Sequence, residues 1–302
     1  MKHLVWLNLV TIAALGLAGC GRTTAPLQAT RAPDTGTEAA QIATVLADNP
    51  DAVNEDLYQN QDPQSFEPGG GFAAIHPITF WRRITDVQSS VDTQFGTPDS
   101  SGRPTTAIAT IHRRLLGTFN ILAGSVTPDD TSRTLVHKPL DDLWTRRVAL
   151  VRVSDPSDPA RSYWRIAGTS GVDVRTHLGV TRVLSLRITT ATFDTTITEP
   201  LELHRLRHVI DFAPGTDVQL VATTGNATDV VLFYGRDMRS RFVNNGDGTF
   251  TFNYNTGRAL GLHRFGVDAL SHGTLFDDAL PYDSNAWIFD YRVAPMDLPI
   301  EG

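Results

Sequence analysis

The chain has 302 residues, 41% of them apolar and 20% charged, and a formal net charge of −7. At ~150 residues per domain this length suggests about two domains, in a composition too apolar for disorder throughout. The acidic balance argues against a nucleic-acid partner, which needs a basic stripe to neutralise phosphate, and a lone cysteine, Cys20, excludes a disulfide framework, a cysteine-rich zinc site and a redox pair.

The N-terminus reads Met1-Lys2-His3, then an apolar run from Leu4 to Leu17, then Ala18-Gly19-Cys20. A basic start, an apolar stretch of ~7–15 residues and small residues before a cut form the pattern of a signal peptide. The run is too short to span a bilayer, which takes ~20 apolar residues. Leu17-Ala18-Gly19-Cys20 resembles the lipobox of bacterial lipoproteins, with the only cysteine at the position the motif requires. The resemblance implies that residues 1–19 are a signal peptide and that Cys20 carries a thioether-linked diacylglycerol. It also implies cleavage before Cys20 and acylation of the new amino terminus. At ~0.8 kcal/mol per buried CH₂, two or three acyl chains hold a protein at a membrane without a spanning helix. Gly21, in place of Asp, resembles the class sorted to the outer membrane where a second membrane exists. An ordinary signal peptide with an incidental cysteine is the competing reading.

Residues 20–37 are rich in Thr, Ala and Pro and read as a flexible tether. A short helix follows over Thr37–Ala47, with Ile42, Val45 and Leu46 on one face. Asn49-Pro50 stops it, and Pro50–Val53 can start another turn. Alternation typical of strands then appears in Thr105–Ile111, Arg147–Val153, Tyr163–Ala167 and Val180–Thr190. Ala149, Val151 and Val153 share a side in one run, and Leu184, Leu186 and Ile188 in another. Turn clusters such as Pro98-Asp99-Ser100-Ser101-Gly102 separate the runs. Residues 38–205 therefore read as an α+β domain, a short helix plus an antiparallel meander. With the hairpin ending in Tyr163-Trp164-Arg165-Ile166-Ala167-Gly168, this order resembles the cystatin-like folds of the nuclear transport factor 2 superfamily. An all-β sandwich is the competing arrangement.

Residues 206–296 carry several short alternating runs with polar turns, the pattern of a β-sandwich. Phe250, Phe252 and Tyr254 fall on one face of a strand, and Trp287, Phe289, Tyr291 and Val293 on one face of another. Ile288, Asp290 and Arg292 are expected to look outward. The pieces Pro214-Gly215-Thr216-Asp217-Val218, Gly246-Asp247-Gly248-Thr249-Phe250-Thr251-Phe252 and Gly261-Leu262-His263-Arg264-Phe265-Gly266-Val267-Asp268-Ala269 resemble bacterial immunoglobulin-like domains. The resemblance implies a spacer or adhesive module whose two sheets are held without inter-sheet cysteines. Residues 297–302 form a tail. The fold class expected overall is mainly β: an N-terminal α+β domain, then an immunoglobulin-like sandwich.

Chemistry-bearing patterns are sparse. Gly168-Thr169-Ser170-Gly171 lacks the spacing of a nucleophile elbow and reads as a turn. His204 and His208, four apart, would share one face of a helix as zinc ligands do, but no His-Glu-x-x-His accompanies them, and on a strand they would lie ~13 Å apart, too far for one ion. Asn245-Gly246-Asp247-Gly248 favours a hairpin turn over a calcium loop. Asp277, Asp278 and Asp283 share one loop and are the better Ca²⁺ candidates, against a reading as solvated carboxylates; no other cofactor is suggested. The pairs Arg82-Arg83, Arg113-Arg114 and Arg146-Arg147 each turn one guanidinium to either face of a strand. If the curved sheet encloses a pocket, Arg114, Arg147 and the nearby Trp144 are candidates for meeting an anionic ligand. The expectation is an exported, lipid-anchored, non-catalytic binding or structural module of the cell envelope. Its expected partners are the membrane, through Cys20, and other envelope proteins or polysaccharide. The alternative is an enzyme or small-ligand-binding protein with a pocket in the N-terminal domain.

Overall fold

Helix comes first and is brief. In α1 (Glu38–Asp48), Gln41, Ile42, Val45 and Leu46 are buried on one face, as their spacing requires. The Asn49 side-chain amide donates to the Val45 carbonyl at 2.8 Å, and Pro50 opens α2 (Pro50–Val53). The computed structural model describes residues 38–53, 57–58, 64–65, 74–100, 102–125, 131–155, 157–205, 210–235 and 238–295. Strand makes up 63% of these and helix 9%, so the chain is mainly β. The expected signal peptide (residues 1–19), Cys20, the expected tether (20–37) and the expected tail (297–302) lie outside the described residues.

β1 (Gln64–Ser65) is followed by four long strands: β2 (His76–Phe95), β3 (Thr106–Gly124), β4 (Arg133–Asp155) and β5 (Asp158–Thr176). They pair in succession as an antiparallel meander. At ~3.3 Å per residue a straight strand of this length would span ~75 Å, for the 23 residues of β4. Bulges bend the meander instead, with register shifts at Pro77/Thr79 and Ile84/Asp86, where β2 carries the extra residue, and opposite Arg146/Val148 and Ala149/Leu150 of β4, where β5 carries it. Gly117 faces one of these bends, where a Cβ would meet the Arg83 carbonyl oxygen at 2.0 Å. Gly168–Gly171 lies at the first of these β5 bulges, inside the strand rather than at a turn. There the Ser170 hydroxyl accepts the Arg147 N–H at 2.9 Å and donates to the Gly171 carbonyl.

The remaining strands are short: β6 (Val183–Thr189), β7 (Asp194–Ile197), β8 (His204–Arg205), β9 (Ile210–Phe212), β10 (Asp217–Thr224), β11 (Val230–Tyr234) and β12 (Arg239–Arg241). β13 (Val243–Asn244), β14 (Thr249–Asn255), β15 (Gly261–Leu270), α3 (His272–Phe276) and β16 (Ser284–Val293) complete the order. The β13–β14 hairpin turns at Gly246 and Gly248, both at positive φ. One sheet runs β1-β2-β3-β4-β5-β16-β15-β11-β12, with β8 on β5 and β9 parallel to β16. The other runs β13-β14-β10-β6-β7. Ladders thus cross position 205 twice, β5 to β16 and β6 to β10.

Two cores lie on opposite faces of the larger sheet. Against one face, α1, α2 and α3 pack with Phe80, Phe119, Trp144, Val148, Leu150 and Trp164. Against the other, the second sheet closes over Phe233, Phe265, Val267, Trp287 and Phe289. Because β16 is flanked by β5 and β15 and covered on both sides, Ile288 is buried rather than outward, and Asp290 is paired with Arg146 and Arg264. In β4 the buried row is Trp144, Arg146, Val148 and Leu150, opposite to the row of Ala149, Val151 and Val153. In β6, Leu186 and Ile188 are buried while Leu184 is exposed, since the ladder to β10 shifts at Thr223/Thr224.

Candidate functional site

The densest polar constellation is buried inside the first core. Arg82, on the inward face of β2, is fully buried, and so are Asp268 of β15 and Asp142 of β4. Arg82 Nη2 lies 2.8 Å from Asp268 Oδ2, its Nε donates to the Tyr282 hydroxyl at 2.9 Å, and its Nη1 donates to the Tyr234 hydroxyl at 3.0 Å. Its guanidinium also lies 4.4 Å over the Tyr58 ring. Tyr58 and Tyr282 both donate to Asp142 Oδ2, at 3.1 and 3.0 Å, and Thr176 donates to Asp142 Oδ1 at 3.0 Å. The Tyr234 hydroxyl donates to Asp268 Oδ2 at 2.7 Å and accepts from Arg239 Nη2 at 2.7 Å. Burial pushes the Asp142 carboxyl up to about 6, against the pull of Arg82 and the three hydroxyls. Burial likewise pushes the Tyr58 phenol far up and the Arg239 guanidinium down. A carboxyl near 6 beside phenols is acid–base chemistry in kind. Here Arg82, Asp142, Asp268 and the three tyrosines are buried, so the network ties β2, β4, β5, β11 and β15 to Tyr58.

The arginines named from sequence are placed differently from Trp144. Trp144 is buried on the inner face, with the Arg113 guanidinium 4.4 Å over its ring. Arg114 is on the outer face in a forked pair with Asp141, at 2.8 and 2.6 Å. Arg147 also faces away from the row that buries Trp144, so Arg114, Arg147 and Trp144 do not converge. The inward guanidiniums are Arg82, Arg113 and Arg146. Nothing local distinguishes an inward arginine from an outward one in such a pair; the phase comes from partners elsewhere in the sheet.

The three aspartates of the α3–β16 loop also separate. Asp283 accepts the Val180 and Thr181 N–H groups, both at 3.1 Å, and Asp277 accepts the Ala279 N–H at 2.9 Å. Asp278 is exposed. The cation inside this loop is a side chain: Lys138 Nζ donates to the carbonyls of Gly273, Asp277 and Leu280 at 2.9, 2.5 and 2.7 Å. Burial lowers that ammonium to about 8, offset by Asp277 and Asp278. Among the described residues no three His, Cys, Asp or Glu side chains gather as a metal site. His204 lies in β8 beside β5, and His208 is outside the described residues.

The accessible feature is an open hollow of about 560 Å³ at one end of the smaller sheet. Thr189, Thr190, Asp217, Gln219, Asn253 and Asn255 line it. Gln219 donates to Asn253 at 3.2 Å, and Asn255 donates to Asp217 at 2.7 Å. Paired amides and a carboxylate on an open rim exchange hydrogen bonds with hydroxyls, and they hold no acid–base pair of matched geometry. Comparison with family models, curated proteins and solved structures finds no match to this chain.

Proposed function

We propose that the chain is an exported, lipid-anchored bacterial protein that works at the cell envelope as a non-catalytic binding or structural module. The observation that carries this reading is Cys20, the only cysteine, standing directly after an apolar run of signal-peptide length. The polar chemistry of the folded part supports it. Arg82, Asp142 and Asp268 are sealed from solvent, where they fasten the fold, while the open hollow offers amides suited to a hydroxyl-rich partner such as polysaccharide. The competing reading, an enzyme or ligand pocket within the meander, would need solvent to reach Asp142.

The strand order supports an immunoglobulin-like sandwich in the C-terminal part. That fold divides its seven strands so that the third, sixth and seventh share one sheet and the second, fifth and fourth the other. β9, β10, β11, β13, β14, β15 and β16 divide in that way, with β9 along β16 and β6 filling the place beside β10. The meander wrapped on α1 supports the α+β reading of the N-terminal part. Metabolic labelling with a radioactive fatty acid tests the anchor. The wild type takes up label and Cys20→Ala does not; a labelled Cys20→Ala protein would overturn the reading.

A further inference from the structure

The outer half of β2 is an open edge. Among the described residues β1 pairs only with Thr79 and Phe80, and nothing pairs with β2 from Asp86 to Phe95 on the side away from β3. The Gly96 N–H donates to the Thr106 carbonyl at 2.9 Å, and the β2–β3 register is unbroken from Asp86 to Phe95. Bonded and non-bonded pairs alternate along an antiparallel ladder. Even-numbered residues therefore bond to β3, and Val87, Ser89, Val91 and Thr93 turn their N–H and C=O groups outward. These same residues carry their side chains on the face that holds Ile111, Leu115 and Trp144. Beyond the reach of that core, Val87 and Val91 are 51% and 43% exposed.

The edge is close to a palindrome. Thr85-Asp86-Val87 precedes Gln88-Ser89-Ser90, and Val91-Asp92-Thr93 follows, so the stretch reads alike in both directions about Ser89 except for Gln88 against Ser90. A two-fold axis normal to the sheet keeps each residue on its own face, so odd-numbered residues oppose odd-numbered ones and even-numbered oppose even-numbered ones. Centred on Ser89, that axis pairs Ser89 with its own copy and Val87 with Val91 of the second copy, and these odd-numbered pairs fall on outward-turned backbone groups. Each copy's Val87 then meets Val91 of the other, giving two apolar pairs that flank the Ser89 pair across the seam.

We propose that two copies of this chain associate through antiparallel pairing of β2 edges, centred on Ser89, which joins their larger sheets into one. The same register sets Asp86 against Asp92 of the second copy, twice. His112 Nε2 lies 3.4 Å from Asp92 Oδ2 on that face. The association is accordingly weak at low ionic strength and strengthens as salt screens the carboxylates. It does not depend on the lipid anchor, so its failure leaves the proposed function standing.

Sedimentation of the full chain carrying Cys20→Ser, over a range of concentrations, tests this. The expected result is a monomer–dimer equilibrium that tightens in added salt and tightens several-fold in Asp92→Asn. Ser89→Pro removes an outward N–H and no bond to β3, so it abolishes the dimer while circular dichroism and melting stay near the parent. Val91→Lys, at an exposed site, does the same and covers the case in which the proline disturbs the strand. A chain that stays monomeric in high salt overturns the proposal and makes Asp86 and Asp92 guards against edge pairing. A dimer that survives both variants overturns it too and places the contact elsewhere.

Discussion

β16 lies between two cores built on different principles. Trp287, Phe289, Tyr291 and Val293 point into the space between the sheets, while Ala286, Ile288 and Asp290 point toward the meander. On the first side, cohesion comes from aromatic contact. Phe233 stacks at 4.7 Å on Phe252 and packs at 4.9 Å against Tyr254, and Phe265 lies 5.8 Å from Phe289 and 5.9 Å from Tyr291. On the second side, apolar packing that includes Phe80, Phe119 and Trp144 surrounds a buried cluster of charged and hydroxyl groups centred on Arg82. An aromatic core loses area in proportion to what is removed. A buried ionic network left with an odd charge loses far more than the missing contact. The two regions should therefore fail differently.

Arg82→Ala is the most severe way to expose that difference. It strands Asp268 and removes donors to two tyrosines and a serine, and it should cost ~3–5 kcal/mol. Phe265→Ala, in the aromatic core, should cost a similar ~3–5 kcal/mol through cavity formation. The double change Arg82→Met with Asp268→Leu separates the two kinds of core, because it should recover much of the Arg82→Ala loss in urea melts. No recovery would mean that the network contributes through shape and not through charge balance.

A milder probe is pH. The Asp142 carboxyl is raised to about 6 in the folded chain from an ordinary value of 3.8. A raised acid contributes stability below its unfolded value, near pH 4, and loses that contribution as pH rises through about 6. At 1.36 kcal/mol per unit, the loss is at most ~3 kcal/mol. Denaturation of wild type and Asp142→Asn at pH 4, 5 and 7 should show wild type falling relative to the variant across that window. Parallel curves would place the proton elsewhere. The smallest effect belongs to the outer face: Arg114→Ala breaks a solvent-exposed pair with Asp141 and should leave the melting temperature within error. A drop comparable to that of Phe265→Ala would mean that the outer face is covered by a partner.

The aromatic core was legible in the sequence because a strand buried on one side alternates, and Phe250/Phe252/Tyr254 and Trp287/Phe289/Tyr291 do so plainly. α1 was legible for the same reason at the helical period. β2 was not. Its outer half, Thr85–Phe95, is solvated on an edge and leaves no apolar period to read. The ionic network was equally hidden, since Arg82 meets Asp268 and Tyr282 across 186 and 200 positions, and an isolated Arg-Arg pair looks like surface. The outward expectation for Ile288 and Asp290 went astray for a related reason: whether a strand is central depends on neighbours such as β5, which lie far away in the chain.

Lys138 gives the surface an unusual chemical character. The chain's only other lysine is Lys2, and all the remaining basic side chains are the 24 arginines. With Lys138 enclosed by three carbonyls, the described part of the molecule presents cationic charge to solvent almost wholly as guanidinium. Guanidinium binds carboxylate and phosphate through its fork and stays protonated. It does not react as an amine does, so acylating agents, reducing sugars and aldehydes find no lysine nucleophile on the described surface. Amine-directed labelling or crosslinking would therefore pass this part of the folded protein by, and carboxylate- or guanidinium-directed reagents are the ones that can report on its contacts.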